Sequence, residues 1–214
     1  MAHSPSLMVV VLAAGKGTRM KSARPKVMHA VAGRSMLGHV LATAKSAGAQ
    51  RLAVVVGPDM PDVRAEAQRL APGCEIFEQT NQLGTGDAVL AAKAALATHT
   101  GDVVVMFADT PLIEPGTIAR LTAALDHGAS VAVLGFNAAD PSGYGRLLAE
   151  PDGTLQAIRE HNDATPAERQ IRLCNSGVMA FRTPDLLGVL TRITSANAKG
   201  EYYLTDIVEI ARAR

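Results

Sequence analysis

Lys16, Arg19, Lys21, Arg24 and Lys26 crowd a stretch that opens Leu12-Ala13-Ala14-Gly15-Lys16-Gly17-Thr18-Arg19-Met20. Glycine reaches backbone conformations closed to other residues and lets amide N–H groups approach an oxygen-rich ligand. Cations beside such a turn suit a polyphosphate. Neither common glycine motif fits. A P-loop is not spelled by residues 15–22, and the dinucleotide fingerprint would need glycine where Met20 stands. That fingerprint also wants an acid about 20 residues on, and none precedes Asp59.

Two further strings carry chemistry. Asp109 follows the apolar run Val103–Ala108, which puts a carboxylate at a strand's carboxyl end, facing the glycine turn. Mg²⁺ is typically held by one or two carboxylates plus substrate phosphates, and one aspartate suits it. The segment Glu78-Gln79-Thr80-Asn81-Gln82-Leu83-Gly84-Thr85-Gly86-Asp87-Ala88 joins a strand end to a helix start. A glutamine offers donor and acceptor to the polar edge of a pyrimidine. Gly84 leaves room for a flat base, and capping of the following helix is an open alternative for Thr85. His29, His39, His99, His127 and His161 show no metal spacing, and Cys74 and Cys174 read as reduced, structural thiols.

The elements that must position these groups follow from hydrophobic period. Leu7–Ala13, Arg51–Gly57, Cys74–Glu78, Asp102–Ala108 and Ser130–Phe136 are short, largely apolar strands. Between them, Ser35–Ala47, Pro61–Leu70, Thr85–Ala97 and Pro115–Asp126 have helical spacing. Strand–helix alternation with short connections predicts an α/β fold, a Rossmann-like doubly wound, mostly parallel sheet with helices on both faces. In such sheets ligands sit at the carboxyl ends of strands. After about residue 138 the pattern changes. Arg146–Glu150 and Leu155–Glu160 flank a Pro-Asp-Gly turn, Leu173–Arg182 is another strand, and helices start at Thr183 and at Tyr203. One domain over 1–214 is expected, with a nucleotide-binding half (about 7–138) and a β-rich lid (about 139–214).

Composition narrows the class. Charged residues make up 19% of the chain and hydrophobic residues 48%, which excludes a disordered polypeptide. No apolar run reaches the roughly 18 residues of a spanning helix. Aromatics at 3% argue against a stacking platform for nucleic acid. Residues 1–58 hold eight cations and no acid, and the remainder holds thirteen cations against twenty acids. Anion binding near the N-terminal end is implied. No cation precedes the first apolar run, so a secretory leader is not expected and the protein reads as cytoplasmic.

Leu12–Met20 together with Pro25-Lys26-Val27-Met28-His29 resembles the sugar-nucleotide pyrophosphorylases. Within them it looks most like the uridylyltransferase domain of the bifunctional N-acetylglucosamine-1-phosphate uridylyltransferase (GlmU) family. The resemblance implies that Leu12, Ala13, Ala14 and Gly15 line the nucleotide, and that Arg19 and Lys26 neutralise phosphates. It implies that Gln79, Gly84 and Thr85 hold uracil, with Asp87 standing where the family usually has His. Phe107-Ala108-Asp109 replaces the usual Tyr-Gly-Asp, keeping the aspartate for Mg²⁺. Gly145 of Gly143–Arg146, Glu160, Asn175, and Tyr203 and Thr205 of Gly200–Asp206 are implied to hold the sugar.

The activity so implied is transfer of UMP from UTP to N-acetylglucosamine 1-phosphate with Mg²⁺, supplying precursor for peptidoglycan and lipopolysaccharide in the cell wall. Small-molecule substrates are expected, with no nucleic acid and no membrane; oligomeric state is not legible. The resemblance runs from about residue 7 to 212. The family's downstream Asn, its second metal ligand, and its acetyltransferase β-helix find no match, so acetyl transfer is not expected. Two alternatives stand: another sugar-phosphate or molybdopterin nucleotidyltransferase of this fold, or a nucleotide-sugar binding module with impaired catalysis.

Overall fold

Alternate residues of Ser6–Leu12 (β1) turn to opposite faces of a sheet, and both sets are apolar because both faces are covered. The structure, a computed structural model, describes residues 5–15, 17 and 20–213. Leu7, Val9 and Val11 pack in one core with Met36–Ser46 (α1), Pro61–Leu70 (α2) and Pro115–Asp126 (α5). Met8, Val10 and Leu12 pack in a second core. Thr85–Ala91 (α3), Lys93–Ala97 (α4), Thr183–Leu190 (α6) and Ile207–Arg212 (α7) close that other face. This is the doubly wound arrangement expected from the sequence.

Ser35 shows how one residue starts an element and ties it down. Its hydroxyl oxygen accepts from Gly38 N at 3.1 Å, capping α1, and the same hydroxyl donates to Glu66 of α2 at 2.9 Å. Just before it, Ala30–Val31 (β2) and Arg34–Ser35 (β3) form a small antiparallel ribbon.

The main sheet runs Glu75–Glu78 (β5), Arg51–Val56 (β4), β1, Gly101–Phe107 (β6), Leu173–Arg182 (β10), Arg146–Ala149 (β8) and Leu155–Arg159 (β9), with Val131–Asn137 (β7) paired to β10. Arg51–Val56 (β4) and Gly101–Phe107 (β6) flank β1 in parallel register, and Glu75–Glu78 (β5) lies parallel outside β4. The chain moves outward from β1 to β5 and then crosses back to β6. The strand order therefore reverses between β1 and β6, which is where such folds open a crevice at the carboxyl edge.

The second half joins this sheet by hydrogen bonds. Leu173–Arg182 (β10) runs antiparallel to β6 on one side and to Val131–Asn137 (β7) on the other. The strand predicted over 130–136 therefore does not neighbour β6, because β10 is inserted between them. Between Asn175 and Met179 the pairing with β7 slips, and just before that slip Cys174 pairs on its other side with Arg146. That pairing brings in the hairpin of Arg146–Ala149 (β8) and Leu155–Arg159 (β9). Two helices also differ from expectation. The one predicted over 85–97 breaks at Ala92, whose N–H bonds to Val89 O in a tightened turn. The last one is a 3₁₀ turn over Leu204–Asp206 before α7.

Candidate functional site

The carboxyl ends of β1 and β6 and the loop after β5 converge on a cleft of about 410 Å³. Hydrogen bonds from Ala13 N to Val55 O (2.7 Å) and from Ala108 N to Leu12 O (3.0 Å) carry the sheet ladder one residue past β1 and β6. The chain then turns out through Ala14 and Gly15, which line the cleft with Leu12 and Gly17. Gly17 has φ +62 and a Cβ there would come within 2.5 Å of Lys26 Cβ, so only glycine lets the turn lie against Lys26. Gly15 differs. A Cβ added to it meets nothing within 4 Å, so the fold itself leaves the space over Gly15 open.

Lys26 and Asp109 meet across the cleft, Nζ to Oδ2 at 2.6 Å. Their side chains are 39% and 31% exposed, so both can be reached by a ligand. Among the described residues no group of three or more His, Cys, Asp or Glu is placed to hold a metal by itself. Asp109 is a single accessible carboxylate, which fits a Mg²⁺ that takes its other ligands from phosphates and water.

Gln79 and Gly84 form the third wall. Gly84 has φ +117, and a Cβ there would sit 2.6 Å from Tyr202 O and 2.8 Å from Tyr202 N. The close approach has a purpose in the fold: Tyr202 N donates to Leu83 O, and Gly86 N donates to Tyr202 O, each at 2.7 Å. Thr85 does not cap α3. Its hydroxyl accepts from Leu204 N at 2.9 Å, tying the same two segments together. Gln79 is 6% exposed, and its Nε2 donates to Gly84 O at 2.9 Å and to Asp87 Oδ2 at 2.8 Å.

Of the residues expected at the nucleotide, Leu12, Ala14, Gly15, Lys26, Gln79, Gly84, Thr85, Phe107 and Asp109 all border this cleft. Ala13 and Ala108 do not; at 1% and 0% exposure their side chains belong to the core, leaving only backbone for a ligand. Arg19 lies outside the described residues. Phe107 lines the floor, its ring lodged against Gly177, where a Cβ would come within 2.4 Å. Gln82 and Glu201 also line the cleft and were not singled out from the sequence. Gln82 has φ +48 and donates from Nε2 to Ala14 O at 2.6 Å, bracing the glycine turn. The only signal for it was its place in the Gln79–Gly86 string.

Gly145, Glu160, Asn175 and Thr205, expected at the sugar, form a neighbouring cluster that is not part of the cleft lining. Asn175 N donates to Gly145 O at 2.8 Å, and Asn175 Oδ1 accepts from Gly177 N at 2.9 Å. Thr205 donates to Glu160 Oε1 at 3.1 Å, and a Cβ on Gly145 would stand 3.4 Å from the same oxygen. Burial pushes the Glu160 carboxyl above its usual range, and the Thr205 hydroxyl holds it partly down. Tyr203 is 7% exposed and its hydroxyl finds no partner among the described residues. Burial, then the charges of Asp163 and Glu201, push it up to about 12. Gly177 against Phe107, Leu204 against Thr85, and the Tyr202 backbone against Leu83 and Gly86 join this cluster to the cleft.

Comparison with known proteins shows the chain's family and fold. The chain is 62% identical over 208 residues to the bifunctional protein GlmU of Azorhizobium caulinodans, covering 97% of this chain and 46% of that protein. It is 60% identical to the GlmU of Xanthobacter autotrophicus with the same coverage, and 55% identical to that of a Bradyrhizobium species. The chain thus spans about half the length of the curated relatives it matches. Its fold is that of a solved UDP-glucose pyrophosphorylase complexed with UDP-glucose, with a TM-score of 0.78 at 19% identity over 98% of this chain and 88% of that one. The apo form of UDP-glucose pyrophosphorylase superposes with a TM-score of 0.76. A sequence profile of the MobA-like NTP transferase domain matches residues 9–175, and the chain belongs to that family.

Proposed function

We propose that this chain transfers UMP from UTP to N-acetylglucosamine 1-phosphate in a Mg²⁺-dependent reaction that supplies a cell-wall precursor. A phosphate oxygen of the sugar phosphate attacks the α-phosphorus of UTP, the bond to the bridging oxygen breaks, and pyrophosphate leaves. The attacking oxygen is already ionised, so no general base is needed. The difficulty is bringing two anions together, and catalysis is positioning plus charge neutralisation.

One observation carries this reading: Lys26 and Asp109 face each other in a cleft that also holds the glycine turn and the Gln79–Gly84 wall. Lys26, joined by Arg19, neutralises the phosphates, and Asp109 would hold a Mg²⁺ that would supply further positive charge there. Gln79, Gly84 and Thr85 receive the base, while Leu12, Ala14, Gly15 and Phe107 receive the nucleoside. Gly145, Glu160, Asn175, Tyr203 and Thr205 receive the sugar. Residues 7–138 thereby serve the nucleotide and 139–214 the acceptor. Identity to the GlmU relatives favours N-acetylglucosamine over other acceptors. A pathway that draws on UTP also favours a cytoplasmic site of action.

Pyrophosphate release with UTP, N-acetylglucosamine 1-phosphate and Mg²⁺ tests the reading. Turnover with that pair supports it. Turnover confined to another nucleotide and acceptor, such as GTP with molybdopterin, overturns the substrate assignment, and nucleotide binding without release makes the chain a binding module.

A further inference from the structure

The amide of Gln79 can face the cleft with either its oxygen or its nitrogen, and the two present opposite chemistry to a base. Asp87 decides between them. Gln79 Nε2 sits 2.8 Å from Asp87 Oδ2 and 2.9 Å from Gly84 O, and both partners are acceptors without a proton to give. Exchanging oxygen and nitrogen would set three acceptor oxygens against one another in a place where Gln79 is 6% exposed. Both donors of the amide are thus consumed inside the protein. Oε1 accepts nothing from any described residue and Gln79 lines the cleft. Asp87 is itself held in place, because the same Oδ2 also accepts from Leu83 N at 3.2 Å.

We propose that Asp87 is a positioning residue for base selection: by holding the Gln79 amide with its nitrogen turned inward, it presents Oε1 alone to the base, an acceptor for the ring N–H that faces it. This rests on the reading of the cleft as a nucleotide site, and it goes further by fixing which bases are admitted. Uracil offers N3–H and guanine N1–H. Cytosine N3 and adenine N1 are acceptors, and either would confront Gln79 Oε1 with a second lone pair. Asp87 does not itself border the cleft, so its effect passes through Gln79.

The test is equilibrium binding of UTP, GTP, CTP and ATP to the unaltered protein, to Asp87→Asn and to Asp87→Ala. Both bonds fall on one oxygen, so the single carbonyl of Asn can take them both. Asp87→Asn is therefore expected to keep the preference for UTP or GTP over CTP and ATP. Asp87→Ala removes one of the two acceptors that hold the amide and leaves Gly84 O alone to orient it, and the UTP-to-CTP preference is expected to fall about tenfold, mostly through weaker UTP binding. Melting temperatures of the two variants separate this effect from a loosened fold. An unchanged preference in a folded Asp87→Ala protein overturns the proposal, as does an unaltered protein that binds CTP as tightly as UTP. If the base preference behaves as expected but no pyrophosphate is released with N-acetylglucosamine 1-phosphate, the positioning role stands and the proposed reaction falls.

Discussion

Lys26 Nζ lies 2.6 Å from Asp109 Oδ2, a pair drawn from a 3₁₀ turn over Lys26–Met28 and the end of β6, 83 residues apart in the chain. Both side chains are about a third exposed, so water screens the attraction and it contributes about 0–1 kcal/mol to the fold. Its importance is positional. Each group holds the other over the cleft, and each is what an incoming metal–triphosphate would compete for: phosphate oxygens for the ammonium, the cation for the carboxylate.

Removing one partner should separate activity from stability. Lys26→Ala is expected to lower the rate of UDP-sugar formation by about 10²–10³-fold, the scale for losing one preorganised charge at a reacting centre. Its melting temperature should stay close to that of the unaltered protein. Pyrophosphate release and a thermal melt on the same preparation check this. Near-normal synthesis by the variant would remove Lys26 from the chemistry.

Gly15 and Gly84 make opposite predictions although both belong to the cleft wall. Ala at Gly84 must accept φ +117 and push its Cβ into the Tyr202 backbone at 2.6 Å, which neither segment can yield easily. A loss of about 1–3 kcal/mol is expected, visible as an earlier denaturation midpoint. Gly15→Ala meets nothing within 4 Å, so the melting temperature should hold while the KM for UTP rises. A destabilised Gly15→Ala protein would mean that the glycine serves the backbone rather than a ligand.

What was legible in the sequence, and what was not, divides by the range of the interaction. A parallel sheet delivers its carboxyl ends to one edge, so apolar runs ending at Gly15, Gln79 and Asp109 were enough to predict that those residues share a site. The insertion of β10 between β6 and β7 depends on pairing partners dozens of residues away, and no local pattern encodes it. The Tyr202 backbone that pins Leu83 and Gly86 was invisible for the same reason, since backbone amides leave no mark on composition. Asp87 stood out as an unusual residue, yet its role required the distance to Gln79. The break at Ala92 is flanked on both sides by alanine, leucine and lysine, strong helix formers, so local propensity carried no sign of it.

The acceptor side can be probed apart from the nucleotide side. Thr205→Val keeps the shape of the side chain but withdraws the hydroxyl that donates to Glu160 Oε1. Burial already raises the Glu160 pKa, and losing that donor should raise it further. The expected result is a higher KM for the sugar phosphate with little change in the KM for UTP, measured by varying each substrate in turn. Equal changes in both would place Thr205 outside the acceptor site.

Asp206 gives a pH signature of the fold itself. Burial first, then the charge of Glu209, pushes its carboxyl from the ordinary 3.8 up to about 6. The native state therefore holds this proton more tightly than the unfolded chain does. As pH rises from 3.8 through 6 the unfolded state ionises first, and stability falls across that window and stays lower above it. Asn at this position cannot ionise, and no capping hydrogen bond is lost because the Asp206 side chain makes none to α7. Asp206→Asn should melt no higher than the unaltered protein near pH 4 and higher above pH 7. About 1 kcal/mol is expected once solvent screening of the half-buried group is discounted, which for a chain of this size is about 2–4 °C. Thermal melts of both proteins from pH 4 to pH 8 read the difference directly, and shifts common to both, such as that from Glu160, cancel. A constant gap across the range would show that Asp206 is destabilising for a reason other than its charge.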